Sequence, residues 1–350
     1  MKIFRLLRDE ENSFISKDYT SQMKGVAILM MLFLHLFNNS SRYAGMVPLF
    51  EIDNTPLALW LSQICTACVS MYLIMSGYGL WIVSKQGKGK GNFRRVALLY
   101  VRVFLIALLF FPLSYFFFDG GYTLDAKHFL LSVSGIQPYF NDEWWFLFPW
   151  AVICILSPVL FKILKRLGVC KTLLIACALD LFCSWYIRKE GNVLFSLPGR
   201  YFYQIILVIR LSFPFLIGAV AAKTGLFVKI QSMEAKGKLM LCLGMALILL
   251  LRMFVLSYGI FNPFMALGIC CMVMTFKPNK FLIGMGKQST NMWLVHTFFC
   301  YYYLHDFFQY LKYPILMFVV LILYSYVTAC LIDYFYKKLK NVLVGYLGLF

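Results

Sequence analysis

Residues 24–35 read K-GVAILMMLFL-H, an apolar run closed by a lysine at one end and a histidine at the other. Eleven residues make close to three helical turns, so Lys24 and His35 share one helix face, about 16 Å apart along the axis. Continued to residue 39, the run is long enough to cross a bilayer. An imidazole within such a helix is costly unless it meets a polar cavity or partner, so His35 marks a site inside a membrane-spanning element. Two readings stay open for it. One is a packed histidine bonded to a neighbouring helix. The other is a general base, since a neutral imidazole accepts a proton from a hydroxyl at physiological pH. Lys24 is either a snorkelling anchor at the membrane edge or an anion contact.

The rest of the chain repeats the pattern. It is 61% hydrophobic and only 14% charged, outside the range of soluble globular proteins. Ten apolar runs stand out, at 23–39, 56–83, 96–118, 143–161, 172–187, 202–222, 239–257, 261–276, 288–304 and 313–334. The expected fold is therefore all-α, a polytopic membrane bundle of about ten transmembrane helices. The second run is over-long, which suggests a tilt or a break near Ser76-Gly77. The opening 22 residues are polar and carry no signal-peptide pattern.

A net charge of +18 could suggest a nucleic-acid partner, but its distribution argues for topology instead. With the N-terminus inside and strict alternation, the inside segments hold most of the Lys and Arg. They include Lys2, Arg5 and Arg8, the cluster Lys85, Lys88, Lys90, Arg94 and Arg95, and Lys337 and Lys338. The outside segments hold only Arg42, Lys127, Arg188, Lys189, Arg200 and Lys312, with acids at Asp119, Asp125, Asp142 and Glu143. This asymmetry fits the positive-inside rule with both termini cytoplasmic. No nucleic-acid partner is expected; the lipid bilayer is. The eleven cysteines lie mostly within apolar runs and read as small apolar filler, Cys65-Thr66-Ala67-Cys68 included. Neither a metal site nor a disulfide framework is expected.

Several polar residues interrupt the apolar runs. Ser76-Gly77 with Gly79 permits close helix approach, and Ser76 serves either that packing or the site directly. Arg94 and Arg95 open the third run and Arg102 lies inside it. They are topology signals or a phosphate cradle, because arginine pairs with phosphate in bidentate fashion. Asp142-Glu143-Trp144-Trp145 opens the fourth run. It reads equally as an interfacial anchor and as a rim of indoles and carboxylates facing a sugar. His296 is a second histidine within an apolar run, consistent with two histidines lining one cavity. Asp180, Arg210 and Arg252 are further charges in such runs, and Asp180 is expected to pair with one of the arginines.

Taken together, these segments resemble the acyltransferase-3 family of integral-membrane acyltransferases. The resemblance runs in order from KGVAILMMLFLH through YLIMSGYGLW (72–81), FRRVALLYVR (93–102), WWFLFPW (144–150) and SFPFLIGAVAAKTGLF (212–227) to GKQSTNMWLVHTFF (286–299). It covers about residues 18–335. The family's usual arginine before x10-His is Lys24 here, and the tyrosine of its closing motif is Trp293. The resemblance implies a cytoplasmic segment at 1–22, a transmembrane acyltransferase domain at 23–335 and a cytoplasmic tail at 336–350.

The implied reaction moves an acyl group, most often acetyl, from a cytoplasmic acyl-CoA co-substrate to a hydroxyl of a bacterial cell-surface polysaccharide or lipid-linked sugar. No tightly bound cofactor is implied, and polysaccharide-synthesis machinery is a natural partner in the cell membrane. In that scheme His35 is catalytic. Lys24, Arg94, Arg95 and Arg102 bind the donor, and Ser76, Glu143, Trp145 and His296 support the acceptor side. The competing classes are a transporter or exporter built around Asp180, Arg210 and Arg252, and a membrane scaffold in which neither histidine matters.

Overall fold

A computed structural model describes residues 14–39, 45–87, 91–117, 125–194, 199–254 and 259–347. Lys2, Arg5, Arg8, Arg42, Lys88, Lys90 and Asp119 lie outside the described residues, as do the last residues of the expected runs 96–118 and 239–257. The described chain is helical apart from one two-residue-a-side hairpin, β1 (Glu51–Ile52) and β2 (Thr55–Pro56). Its turn residues Asp53 and Asn54 both take positive φ, 50° and 57°, the pairing a tight two-residue hairpin turn requires. The helices are α1 (Lys17–Phe37), α2 (Leu57–Cys65), α3 (Cys68–Lys85), α4 (Asn92–Phe117), α5 (Ala126–Ser134), α6 (Leu147–Leu194) and α7 (Gly199–Lys223). They continue as α8 (Leu226–Gln231), α9 (Ala235–Phe254), α10 (Asn262–Val273), α11 (Lys280–Thr297), α12 (His305–Tyr310) and α13 (Pro314–Leu347).

The described residues of all ten expected runs are mostly helical, the second run over two helices, α2 and α3. Among the described residues six segments are long and apolar enough to cross a membrane: 17–37, 57–85, 92–114, 142–191, 199–223 and 314–341. The chain is a multi-pass membrane protein. The 48-residue α6 contains both the fourth and the fifth run, parted by a kink at Gly168 (φ 76°, ψ 174°). That conformation is one only glycine adopts without strain. On α13, Ile315, Val319, Leu323, Val327 and Leu331 are 45–63% exposed at every fourth position. Such an apolar stripe belongs against lipid rather than water. α13 also carries the chain onward as helix to Leu347, through much of the tail expected from 336.

The chain divides into two compact units. The first comprises residues 1–27, 66–92 and 149–286. Its centre is the α3–α7 pair. A Cβ on Gly77 would run into the Phe215 carbonyl, and one on Gly218 into the Ile74 carbonyl. These glycines let the two backbones touch, as small residues do between membrane helices. The N-terminal half of α1 meets the start of α11 in the same way, Gly25 against Leu282 and Gly286 against Ser21. Trp81 and Phe215 each pack on the Phe161 ring.

The expected break at Ser76-Gly77 lies instead at Thr66-Ala67, between α2 and α3. There the Thr66 carbonyl accepts a hydrogen bond from Asn262 Nδ2 at 3.1 Å, a bond that competes with helix continuation. Gly77 remains helical because its use is close approach. Asp180 pairs with Arg210 (Oδ1 to Nε, 3.3 Å), as anticipated. Arg252 donates to Thr66 Oγ1 at 3.2 Å and to Asn262 Oδ1 at 3.5 Å.

The second unit comprises residues 28–65, 93–148 and 287–350. Its core is aromatic. Phe111 stacks on Phe140 (ring centroids 4.3 Å) and packs against Trp144 (5.4 Å), while Phe298 packs against Phe110 (4.7 Å) and Trp144 (5.9 Å). Trp144 is fully buried, so it belongs to the core and not to an interfacial rim.

Candidate active site

The site lies in the second unit, where the last turn of α1, the turn before α6 and the end of α11 meet. Residues 142–146 form one tight 3-10 turn, capped by Asn141, whose Oδ1 accepts from the Glu143 backbone N–H (3.1 Å). The same oxygen accepts from Thr297 Oγ1 (3.0 Å). Trp144 Nε1 donates to the Leu294 carbonyl (3.0 Å), and the Asp142 N–H donates to Tyr302 Oη (3.1 Å). Asn141 and Trp144 are thereby bound to the end of α11, Asp142 to Tyr302 just beyond it, and Glu143 to Asn141, which fixes the backbone that carries the Glu143 carboxylate.

Beyond Thr297 the helix widens into a π-helical stretch, Phe298–Tyr303. Such widened turns are rare and concentrate at functional sites. Here it presents Tyr301 to α1, with Tyr301 Oη 2.7 Å from His35 Nδ1. Glu143 Oε1 lies 3.4 Å from the same nitrogen, and the rings of His35 and His296 are 5.0 Å apart. His35 is 8% exposed and His296 fully buried.

Hydrogen-bond chemistry assigns the tautomers. His296 Nδ1 faces the Trp293 carbonyl at 2.8 Å and the Met292 carbonyl at 3.2 Å. Carbonyls only accept, so Nδ1 carries the proton and Nε2 of the neutral ring is a bare acceptor. Among the described residues that Nε2 has no hydrogen-bond partner. An ionised Glu143 likewise only accepts, which favours the proton on Nδ1 of His35 and leaves Nε2 as its basic atom. A carboxylate beside a buried histidine is chemically suited to proton abstraction from a hydroxyl. Next to it the chain from Tyr301 to Phe307 lines an open cup of about 480 Å³. Its three tyrosines, His305 and Asp306 offer hydroxyl, imidazole, carboxylate and ring faces.

Of the residues singled out from sequence, the structure gathers His35, Glu143 and His296. Trp145 follows Glu143 in the same turn and packs on Phe146 (5.9 Å). Arg102 is held in a separate tie between α4, α11 and α13. Its guanidinium donates to Asn291 Oδ1 (3.2 Å), pairs with Asp333 (3.5 Å) and lies 4.0 Å over the Tyr336 ring. Asn291 in turn donates to the Ala329 carbonyl (3.1 Å). Arg94 and Arg95 sit in the first turn of α4, Arg94 exposed and Arg95 partly buried.

Ser76 lies in the first unit, where it accepts from Trp150 Nε1 at 3.1 Å. Lys24 is also in the first unit, with its side chain exposed. Tyr301 was missed. Five residues past His296, it falls well around an α-helix, and only i→i+5 hydrogen bonding brings it back within about one turn. The faint signal was the run Tyr301-Tyr302-Tyr303.

A protein-family model described as an acyltransferase domain, that of the acyltransferase-3 family, matches residues 18–334, nearly the whole chain. No curated protein and no solved structure matches it.

Proposed function

Because the chain belongs to the acyltransferase-3 family and is a membrane acyltransferase, we propose that it moves an acyl group, acetyl in the expected case, from acyl-CoA to a sugar hydroxyl of a cell-surface or exopolysaccharide. The observation that carries this reading is the Glu143–His35 pair, joined through Tyr301 to the tyrosine-lined cup. The cup suits a polyol, since aromatic faces pack on sugar rings and tyrosine, histidine and aspartate bond hydroxyls.

In the proposed reaction His35 Nε2 removes the proton of the acceptor hydroxyl as its oxygen attacks the thioester carbonyl. Glu143 stabilises the imidazolium that forms. The tetrahedral intermediate collapses, the C–S bond breaks, and the imidazolium returns the proton to the departing thiolate. The products are the sugar ester and the free thiol. His296 packs against the His35 ring and keeps it from turning.

The donor is assigned to Arg94 and Arg95; Lys24, on the earlier turns of α1, is proposed by itself as an anion contact. Two arginines in the first turn of a helix oppose its macrodipole. An anion such as the CoA phosphates would relieve that repulsion and bind the helix N-terminus at once. This orientation takes both termini and the Arg94 end of α4 as cytoplasmic. The charges that could have supported a transporter are otherwise engaged, Asp180 with Arg210 and Arg252 with Thr66 and Asn262.

The test is radiolabelled acetyl-CoA added to membranes holding the protein. Label is expected in polymer or glycolipid, and a stably inserted His35→Ala protein is expected to lose it. Equal incorporation by that variant would overturn the assignment.

A further inference from the structure

Asn141 is fully buried, and its side-chain amide is held by two hydrogen bonds to one atom. Oδ1 accepts from the Glu143 N–H at 3.1 Å and from Thr297 Oγ1 at 3.0 Å. A backbone N–H only donates, so the atom facing it is the oxygen, and the amide has one orientation. Nδ2, with two N–H donors, then has no hydrogen-bond partner among the described residues. Leaving a buried donor unpaired is costly. Native structures hold few such groups, and a catalytic role is one of the reasons they are kept.

The amide stands between two neighbours of His35. On one side it holds the backbone of Glu143, whose carboxylate is 3.4 Å from His35 Nδ1. On the other it holds Thr297, next in sequence to His296, whose ring is 5.0 Å from that of His35. Two other donors here are spent, Trp144 Nε1 on the Leu294 carbonyl and Thr297 Oγ1 on Asn141 itself. His296 Nε2 and an ionised Glu143 can only accept. Yet acyl transfer calls for a donor. As the acceptor oxygen bonds to the thioester carbon, the carbonyl π pair moves onto the carbonyl oxygen, which becomes an oxyanion. A donor already fixed in a water-poor pocket stabilises that charge without reorganising.

We propose that Asn141 is a further catalytic residue, the oxyanion donor of this site. Nδ2 donates to the thioester carbonyl oxygen as it becomes negative. When the C–S bond breaks, the electron pair returns to the carbonyl and that hydrogen bond weakens. Thr297 and the Glu143 N–H are positioning groups that hold the amide by its oxygen. The proposal rests on the acyl-transfer reading, with His35 as the base.

The experiment uses the full chain, quantified in membranes and supplied with radiolabelled acetyl-CoA. Two acceptors are followed at once: label entering polymer or glycolipid, and labelled acetate released by water. Membranes holding His35→Ala give the background. Asn141→Asp keeps the outline and the accepting oxygen but removes both N–H donors. Asn141→Ser keeps a capping oxygen without adding charge. Each should lower kcat by roughly 10²–10³, the loss that follows removal of one oxyanion donor. The fall should be the same for both acceptors, because both pass through the same oxyanion. The acetyl-CoA KM should stay within about twofold, since the contact forms only in the transition state. In Asn141→Ser the pH–rate limb belonging to His35 should not move.

Several results would overturn the proposal. One is a folded variant with kcat within tenfold of the wild type. Another is a loss confined to the KM of the polymer or glycolipid, which would make Asn141 an acceptor contact. A third is a displaced pH limb in Asn141→Ser, which would mean that the amide acts only through Glu143 and His35. Loss of the fold in both variants would show an amide bonded for structure, and overturns it too. In each of these cases an active wild type leaves the acyl-transfer reading standing. A wild type that labels neither acceptor overturns that reading, and this proposal with it.

Discussion

The Glu143 carboxylate lies 3.4 Å from Nδ1 of His35, the nitrogen that Tyr301 also reaches. On the proposed reading Glu143 is the orienting acid of a histidine base, where the sequence placed it on the acceptor side. His35→Ala should lower kcat by roughly 10²–10⁴, the range of a general base. Glu143→Gln keeps the shape but loses the charge and should cost about 10²-fold in kcat with the acyl-CoA KM unchanged. Steady-state kinetics on the purified protein checks both, and a KM effect in place of a kcat effect would remove Glu143 from this role.

Tyr301→Phe removes one hydroxyl from His35 and nothing else of size. The loss of a single hydrogen bond is about 0.5–1.5 kcal/mol, so kcat should fall tenfold or less. A fall as large as that of His35→Ala would instead make the phenol a proton carrier in the reaction.

Gly77 and Gly218 each face a backbone carbonyl across the α3–α7 contact, whereas a Cβ on Gly79 meets nothing within 4 Å. Gly77→Ala and Gly218→Ala should each destabilise by about 1–3 kcal/mol or more, through overpacking against groups that cannot yield. Gly79→Ala should be neutral or slightly stabilising. Thermal unfolding in detergent separates the three, and equal behaviour would refute the close contact.

Arg102 reaches Asn291, Asp333 and Tyr336. If these contacts define its role, Arg102→Ala and Asp333→Asn should both lower stability, by about 1.5–3 kcal/mol for hydrogen bonds to a charged group. Arg102→Lys should rescue neither the fork nor the stacking. A raised acyl-CoA KM in Arg102→Ala with unchanged thermal stability would return this arginine to the donor site.

Asp125 caps α5, outside the six long apolar segments. It accepts from the His128 backbone N–H (2.9 Å) and also contacts the His128 imidazole. The backbone bond first, then the imidazole, holds the carboxyl below its ordinary value. A lowered pKa means the cap is fully formed above the unfolded value and is lost as pH falls through the folded one. Amide-exchange protection of residues 126–134, corrected for the intrinsic rate, should therefore decline at acid pH. Asn retains the capping oxygen, so Asp125→Asn should flatten that decline while keeping the helix.

How much was legible beforehand follows from range. Hydropathy is a local property, so all ten apolar runs could be read as helices, and a lone histidine in one of them declared itself by its cost. The ordered segments around Lys24, Ser76, Arg94, Trp144 and His296 likewise pointed to the family. Gly77 carried two readings, close approach and a break, because the two look alike in one dimension; the structure bears out the first and moves the break to Thr66-Ala67. At Thr66 the break depends on an asparagine almost two hundred residues away.

By itself, then, the sequence determined the all-α membrane class and the family, and it singled out His35 as a candidate, because burying a polar group in lipid is expensive wherever the rest of the chain goes. Only the tertiary structure decided what stands next to His35. Glu143 reaches it through a turn held to α11 by Asn141 and Trp144 and to Tyr302 by Asp142. Tyr301 reaches it because a π-helical turn shifts the phase of the helix, and no α-helical periodicity contains that shift. Arg102, so prominent as a letter, is bonded to Asn291 and Asp333. Side-chain partnership is a matter of distance in space, and in this protein the deciding distances join residues between about a hundred and nearly three hundred positions apart.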